Sequence, residues 1–389
     1  MNFAAIDWSE AMKKKVMAAA LLGVLASAAH AQSSVTLYGL LDAGITYTNS
    51  QATVNGGHSN VQLVSGPVEE SRWGLRGAED LGGGLKAIFT LESGFNLNNG
   101  TYGYSGQEFG RQAFVGVSSV DYGAVTLGRQ YDSMVDYVGP LALTGTEYGG
   151  THFAHPFNND DLNNNSFSVN NSIKYTSANY AGFKFGGLYG FSNQANGFDN
   201  NRAYSLGASY DWGPLNFGAG YLHLNNSASS QQAANFNTNG AITEGLPFVA
   251  ARQQTWGAGV NYSFGPAVAG FVYTQTNLTQ AFQTGFSSHF QNFEGNFRYN
   301  LTPALNLAGA YTYSRAGGNV GGGSPHWNQV GAQADYSLSK RTDVYLQSVY
   351  QKVSTTQNTV LGVAFINGLT APSSTNNQVE VTVGLRHRF

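Results

Sequence analysis

The sequence predicts an all-β fold, a 16-stranded antiparallel transmembrane β-barrel with short turns on one rim and long loops on the other. Three observations point to it. Apolar residues alternate with small or polar ones through the chain after residue 31, short Gly- or Pro-containing connections alternate with long polar ones, and the composition is poor in charge. Charged residues make up 11% of the 389 residues, against about 25% in ordinary soluble domains. Glycine contributes 50 residues, and Phe, Tyr and Trp contribute 24, 22 and 5. With no Cys in the chain, a disulfide scaffold and a thiolate metal site are excluded. A net charge of −3 with 19 Lys and Arg argues against a general nucleic-acid binder.

The first element is a targeting segment. Lys13, Lys14 and Lys15 precede the apolar run Val16 to Ala29, and Ala29-His30-Ala31 follows. That is the order of a signal peptide, with cleavage after Ala31. Residues 1–31 are therefore assigned to it, and 32–389 to one barrel domain. Residues 1–11 carry Asp7 and Glu10, which are foreign to such a leader, so Met12 is an alternative start. The run is too short for a helical span, which needs about 20 residues. No run of 18 apolar residues follows it, which leaves the closed barrel as the route across a bilayer.

The strands come next. Leu215 to Tyr221, Leu305 to Tyr311 and Val344 to Tyr350 alternate in side-chain character. In the last strand Val379, Val381, Val383 and Leu385 share one face, and Gln378, Glu380, Thr382 and Gly384 the other. Apolar residues out and polar or small residues in is the pattern of a membrane barrel, and inward glycines leave room for a lumen. Seven short connections fall at 81–84, 121–123, 180–182, 212–214, 264–266, 301–303 and 338–340. Between them lie long polar stretches, among them 49–68, 131–171, 225–252 and 353–376. Seven turns interleaved with eight loops give the sixteen strands, in the layout of bacterial outer-membrane barrels with periplasmic turns and extracellular loops.

Five ordered motifs carry a family resemblance: Ser34-Val35-Thr36-Leu37-Tyr38-Gly39 with Asp42; Ser71 to Gly77 with Glu79 to Ala87; Arg111 to Gly116; Gly123 to Gln130; and Val383 to Phe389. Together they resemble general porins of Gram-negative bacteria of the β-proteobacterial type. The resemblance implies a homotrimer of 16-stranded barrels, and a third long loop folded into each barrel as a constriction. It also implies that the terminal aromatic, Phe389, is read by the barrel-assembly machinery. Outer-membrane lipid and lipopolysaccharide would be the surroundings, and small hydrophilic solutes and ions the cargo.

A charge facing lipid costs a few kcal/mol, so strand arginines belong in the lumen. Arg72 and Arg76 share parity with Glu70, opposite Trp73 and Leu75. Arg129 shares parity with Val125 and Leu127, which alternation turns outward, but it ends its strand. The family pattern carries over Arg72, Arg111 and Arg129 as the basic side of the constriction, with Arg76 as a lower addition. The acidic side is assigned to Asp132, Asp136 and Glu147 of the stretch 131–171. Asp160 and Asp161 are read as a solvated loop. Carboxylates opposing arginines set a transverse field that favours polar solutes. The sign of ion selectivity stays open at this point.

Other chemistry lacks its residues. His152 and His155 are two ligands where a metal needs three or four, so no metal or other cofactor is assigned. No G-x-S-x-G, Walker A or H-E-x-x-H motif occurs, so no catalytic residues are assigned and the chain is not read as an enzyme. The function expected is passive diffusion through a water-filled channel. A substrate-selective channel for sugars or anionic metabolites on the same barrel is the alternative. An outer-membrane enzyme and a surface adhesin are weaker readings.

Overall fold

The structure is a computed structural model, and it describes residues 34–104, 106–163, 168–198, 202–225, 250–281, 287–318, 323–355 and 361–389. The signal-peptide assignment lies outside the described residues, as does most of the loop assigned to 225–252. Among the described residues the strands are β1 (Ser34–Thr53), β2 (Gly56–Ser65), β3 (Arg72–Gly82), β4 (Leu85–Gly94), β5 (Gln112–Ser119) and β6 (Gly123–Gln130). They continue with β7 (Val169–Thr176), β8 (Phe183–Gly190), β9 (Ala203–Trp212), β10 (Leu215–Asn225), β11 (Ala250–Phe264) and β12 (Ala267–Ala281). The last are β13 (Ser288–Asn300), β14 (Leu305–Gly318), β15 (His326–Ser337), β16 (Thr342–Ser354) and β17 (Asn377–Arg388). One short α-helix, α1 (Ser133–Tyr137), lies between β6 and β7, followed by four single 3-10 turns.

All ladders are antiparallel between neighbours in sequence, and β17 pairs with β1 to close the sheet. Of the seventeen segments, β2 and β3 pair with successive parts of β1. They are two halves of one barrel strand, so the wall has sixteen strands. Closure leaves no sheet edge without a hydrogen-bonding partner, the condition for backbone in lipid.

The seven short turns fall between β3–β4, β5–β6, β7–β8, β9–β10, β11–β12, β13–β14 and β15–β16. Five use a glycine at positive φ, among them Gly213 at 56° and Gly265 at 58°, which a side chain resists. Two others use a hydroxyl as a local acceptor: Thr302 Oγ1 takes the N–H of Leu305 at 3.0 Å, and Ser339 Oγ that of Thr342 at 3.1 Å. The stretch 49–68, read as a long loop, is mostly strand. β1 runs to Thr53 and β2 starts at Gly56, because Val61 and Leu63 continue the outward apolar alternation, both exposed.

In β17, Gln378, Glu380, Thr382 and Arg386 face the interior and are buried, while Val383, Leu385 and Phe389 are exposed on the outer face. The interior also holds two apolar clusters, and both come from loops packed on the wall. Met134, Val138, Leu141 and Leu162 of the third loop pack against Leu188, Leu222, Leu224 and Val272 of β8, β10 and β12. Phe153 and Phe157 pack against Phe290, Trp327, Val349 and Val353, together with Leu361, Phe365, Ile366 and Leu369 of the last loop. Each buried Leu, Ile or Phe of this kind contributes roughly 1.5–3 kcal/mol.

The inward glycines therefore have another purpose than leaving an open lumen. A Cβ on Gly218 would lie 2.0 Å from the Tyr137 carbonyl oxygen, and one on Gly207 would lie 2.4 Å from the Tyr137 ring. The space is taken by α1, which sits directly on the backbone of β9 to β11.

Candidate pore constriction

The site begins where the second barrel strand is interrupted. Between β2 and β3 the chain leaves the ladder at Gly66 to Ser71, and Asp42 of β1 holds the detour. Asp42 Oδ2 accepts the N–H groups of Val68 at 3.0 Å and Glu69 at 2.8 Å. Its Oδ1 accepts the Tyr345 hydroxyl at 2.6 Å. Ser71 Oγ exchanges bonds with the Asp42 backbone. The break presents Glu69 and Glu70 to the arginines of three neighbouring elements.

Arg72 Nη2 meets Glu69 Oε1 at 2.9 Å, and its Nε lies 3.9 Å from Glu92 Oε2. Arg111 pairs with Glu70 and, through Nε at 2.7 Å, with Glu92. Glu69 Oε2 takes Arg386 and Arg388 of β17, both at 3.0 Å. Arg386 also binds Asp335 and Asp343 at 3.0 Å. Arg388 binds Asp343 at 2.9 Å and Glu147 of the third loop at 2.6 Å. The result is one ion-pair network from Arg111 to Glu147. Burying such charges is tolerable only because each is paired.

The sequence-assigned residues are distributed unevenly over this network. Arg72, Arg111 and Glu147 belong to it. Arg76 is exposed on β3, with its guanidinium 5.1 Å from the Tyr38 ring centroid. Arg129 is buried apart from it. Its guanidinium donates to the carbonyls of Gly110 at 2.7 Å and Ser168 at 2.9 Å and to Asn170 Oδ1 at 2.6 Å. The β6–β7 register slips at this point, so alternation does not determine where Arg129 points. Asp132 caps α1 by accepting the Met134 N–H at 2.6 Å and is fully buried. Asp136 pairs with Lys174 at 2.5 Å, and burial raises its pKa above the usual carboxylate value.

Asp160 and Asp161 are buried, against the expectation of a solvated loop. For Asp160 the reason is His155, whose Nδ1 lies 2.5 Å from Asp160 Oδ2 and whose Nε2 lies 3.0 Å from Glu294 Oε2 on β13. Burial alone would lower the His155 pKa, but the Asp160 and Glu294 carboxylates outweigh it and raise the value to about 10. The imidazolium draws the loop onto the wall, and Glu294 Oε1 adds a bond from the Leu143 N–H at 2.9 Å. Burial, with Asp132 next to it, pushes the Asp161 carboxyl well up. Its neutral form is favoured there.

Sequence reasoning missed Arg386, Arg388, Glu69, Asp335 and Asp343. The parity of β17 held the signal, since Arg386 and Arg388 continue the face of Glu380 and Thr382. It also missed that the last long loop folds inward. The Asn367 amide donates to the carbonyls of Ala154 at 3.1 Å and His155 at 2.7 Å, and Trp327 Nε1 donates to Val363 O at 2.9 Å. The apolar run Val360 to Ile366 inside a polar stretch marked it.

A family model described as Gram-negative porin matches residues 18–356. The chain belongs to the Gram-negative porin family. An outer membrane porin protein of Bordetella pertussis is 31% identical, covering 97% of this chain and 100% of its own. Outer membrane porin protein 32 of Delftia acidovorans is 37% identical over 54% of this chain and 59% of its own. Among solved structures, an anion-selective porin from Comamonas acidovorans superposes with TM-score 0.71 at 25% identity, covering 92% of this chain and 100% of that one. This porin is thus an outer-membrane channel for passive diffusion, crossing the bilayer many times as a barrel.

Proposed function

We propose that the diffusion path runs past the third loop, and that the charges edging it favour anions. Arg72, Arg76, Arg388 and Arg298 line the basic side. Glu147 and Asp136 form the acidic side. Arg111, Arg129 and Asp132 act from behind the surface, holding the wall and the loop in place. The observation that carries the reading is an excess of accessible cations. Glu147 is 44% exposed and Arg388 32%, and Glu69 and Asp343 beside them are each shared between arginines. Arg76 lies over Tyr38, and Arg298 lies 5.8 Å from the Tyr148 ring centroid; neither forms a direct salt bridge among the described residues, although Arg298 feels the Glu147 charge. A ring of like charge biases the permeating ion. The structural relative from Comamonas acidovorans is named as anion-selective. No catalytic step is required, since solutes move down their own gradients.

The protein assembles as a homotrimer in this reading. The outer faces of β1 to β6 and β17 carry mainly exposed aliphatics such as Val35, Leu37, Val115, Leu127 and Val383, whereas β8 to β15 carry Phe183, Trp212, Tyr262, Phe297 and Tyr336. Aromatic belts mark a lipid interface, so the aliphatic face suits contact between subunits. A Vibrio cholerae outer-membrane protein of the same fold is described in a trimer form. Phe389 serves as the terminal signal for the barrel-assembly machinery. Short turns face the periplasm and long loops the exterior.

Planar-bilayer recording tests these points together. Closures in three equal steps are expected, with a reversal potential of the anion-selective sign in asymmetric KCl. Replacing Arg76 and Arg298 by Gln should move that potential toward cations. A cation-selective native channel would sink the proposed charge assignment.

A further inference from the structure

Carboxylates inside the barrel meet cations, as Glu69, Glu92 and Asp343 do. Asp161 departs from this pattern. It is fully buried towards the end of the third loop, and neither of its oxygens has a hydrogen-bond donor among the described residues. The charged groups acting on it are both acidic: Asp132, within hydrogen-bonding reach, and Asp160. Asp132 is also fully buried. It spends Oδ1 on the Met134 N–H at the start of α1 and leaves Oδ2 without a donor. Asn158, buried earlier in the same turn of chain, has both side-chain polar atoms unpartnered.

Buried polar atoms without partners are costly, and charged ones more so. A proton shared between the two carboxyls would satisfy Asp132 Oδ2 and one Asp161 oxygen. It would leave the other Asp161 oxygen and the Asn158 amide bare. A cation satisfies the oxygens together. The donors here are oxygens, because both ring nitrogens of His155 are already held by Asp160 and Glu294. Zinc favours nitrogen and sulfur ligands. Magnesium keeps several waters in a strict octahedron, which suits an open site better than a buried one. Calcium takes about six to eight oxygens from carboxylates, amides and main-chain carbonyls in adaptable geometry. Among the described residues no three His, Asp or Glu side chains surround one metal position, so two carboxylates supply the charge and neutral oxygens the rest of the shell.

We propose that the third loop carries a calcium site, in which Asp132 Oδ2 and the Asp161 carboxylate share one ion, with the Asn158 amide oxygen and main-chain oxygens completing its shell. Asp132 opens the loop and Asp161 lies on its return, so the ion ties the two arms together. It also fixes the start of α1, the helix that rests on Gly218 and Gly207. The site is buried behind the loop surface, so it stands whether or not the loop borders the diffusion path.

Calorimetric titration tests the site on the full chain, refolded in a non-ionic detergent free of lipopolysaccharide and stripped with EGTA. The probes are CaCl2, MgCl2 and NaCl at matched ionic strength. One Ca2+ per chain is expected, with a dissociation constant of about 1 mM or below, the range of extracellular calcium sites. Mg2+ should bind at least about tenfold more weakly, and CaCl2 alone should raise the thermal midpoint. Asp161→Asn and Asp132→Asn each remove one charged ligand while keeping the shape of the side chain, and Asp132→Asn keeps the oxygen that caps α1. Each should weaken Ca2+ binding at least about tenfold with the heat-shift of the folded barrel on gels retained. Absence of Ca2+ binding up to about 10 mM overturns the proposal, as does an equal response to MgCl2 or NaCl. Undiminished binding in both folded variants means an adventitious ion only and overturns it too. If a variant fails to fold, the stoichiometry and the comparison of ions on the native chain decide alone.

Discussion

Gly218 and Tyr137 touch so closely that the helix of the third loop rests on bare strand backbone: a Cβ at Gly218 would lie 2.0 Å from the Tyr137 carbonyl oxygen. Gly220 repeats the relationship with Met134, at 3.0 Å from its sulfur. The position of the loop is therefore set by missing side chains on the wall as much as by bonds. Gly218→Val should push α1 toward the centre of the lumen and narrow the path. Overpacking of this kind costs about 1–3 kcal/mol, so the barrel should still fold. The expected result is a lower single-channel conductance with the trimer intact. Unchanged conductance would mean that α1 does not border the water path.

His155 supplies a pH-dependent clamp on the same loop. The charged groups facing it are Asp160 on the loop itself and Glu294 on β13, with Asp160 Oδ2 also accepting from Thr274 and Asn292. Because its pKa is raised from 6.5 to about 10 on folding, its stabilisation is fully present below pH 6.5. It is lost as pH rises through about 10. Thermal midpoints should be flat in this contribution between pH 5 and 6.5, then fall toward pH 11. His155→Gln removes one partner of a buried charged pair and should cost roughly 3–5 kcal/mol at neutral pH. It should also flatten the alkaline fall. A variant that keeps the full alkaline dependence would place the titration elsewhere.

The last loop is the second clamp. Ile366 is fully buried, and its N–H donates to Gln378 Oε1 at 2.7 Å. Phe365 N–H donates to Gln351 Oε1 at 2.7 Å. Ile366→Ala should cost about 2–5 kcal/mol and make the segment between β16 and β17 open to protease from the long-loop side. Mass spectrometry of limited digests reads this directly. Equal resistance of variant and native protein would show that the loop is held by other contacts.

The parts of this structure that follow period 2 were legible in the sequence. The turn at Trp212-Gly213-Pro214 and the alternation of Val379 to Leu385 require only local chemistry, and both are found as read. Arg72 could be placed inside by parity because Trp73 and Leu75 flank it. What the sequence did not disclose is long-range. Asp160 read as solvated because Thr274 and Asn292, which donate to it, and Glu294, which holds its partner His155, become neighbours only when the loop enters the barrel. The inward Leu222 and Leu224 break the polar-in rule for the same reason, since they lie under Met134 and Val138. Glu69 was hidden by the strand break that Asp42 holds, while parity had already put Glu70 on the face of Arg72.

The β1–β17 ladder that closes the barrel ends one step beyond Leu40 and Arg388, at Gly39 and Phe389. Gly39 and Phe389 exchange two backbone bonds, each 3.0 Å, and the Phe389 ring covers Gly39 so closely that a Cβ there would lie 2.2 Å from it. Phe389 is still 41% exposed on the outer face. The residue can therefore serve twice, as an outward-facing terminal aromatic and as the lock on the β1–β17 seam. The two roles separate by substitution. Gly39→Val leaves the terminal Phe intact but displaces its ring, and should lower the heat stability of the assembled barrel with little loss of outer-membrane yield. Phe389→Ala removes both the ring and the proposed terminal signal, and should lower the yield as well. Quantifying folded barrel in outer-membrane fractions by its gel heat-shift distinguishes them. If Gly39→Val reduces yield as much as Phe389→Ala does while the purified variants are equally stable, the seam rather than the free aromatic is what assembly depends on.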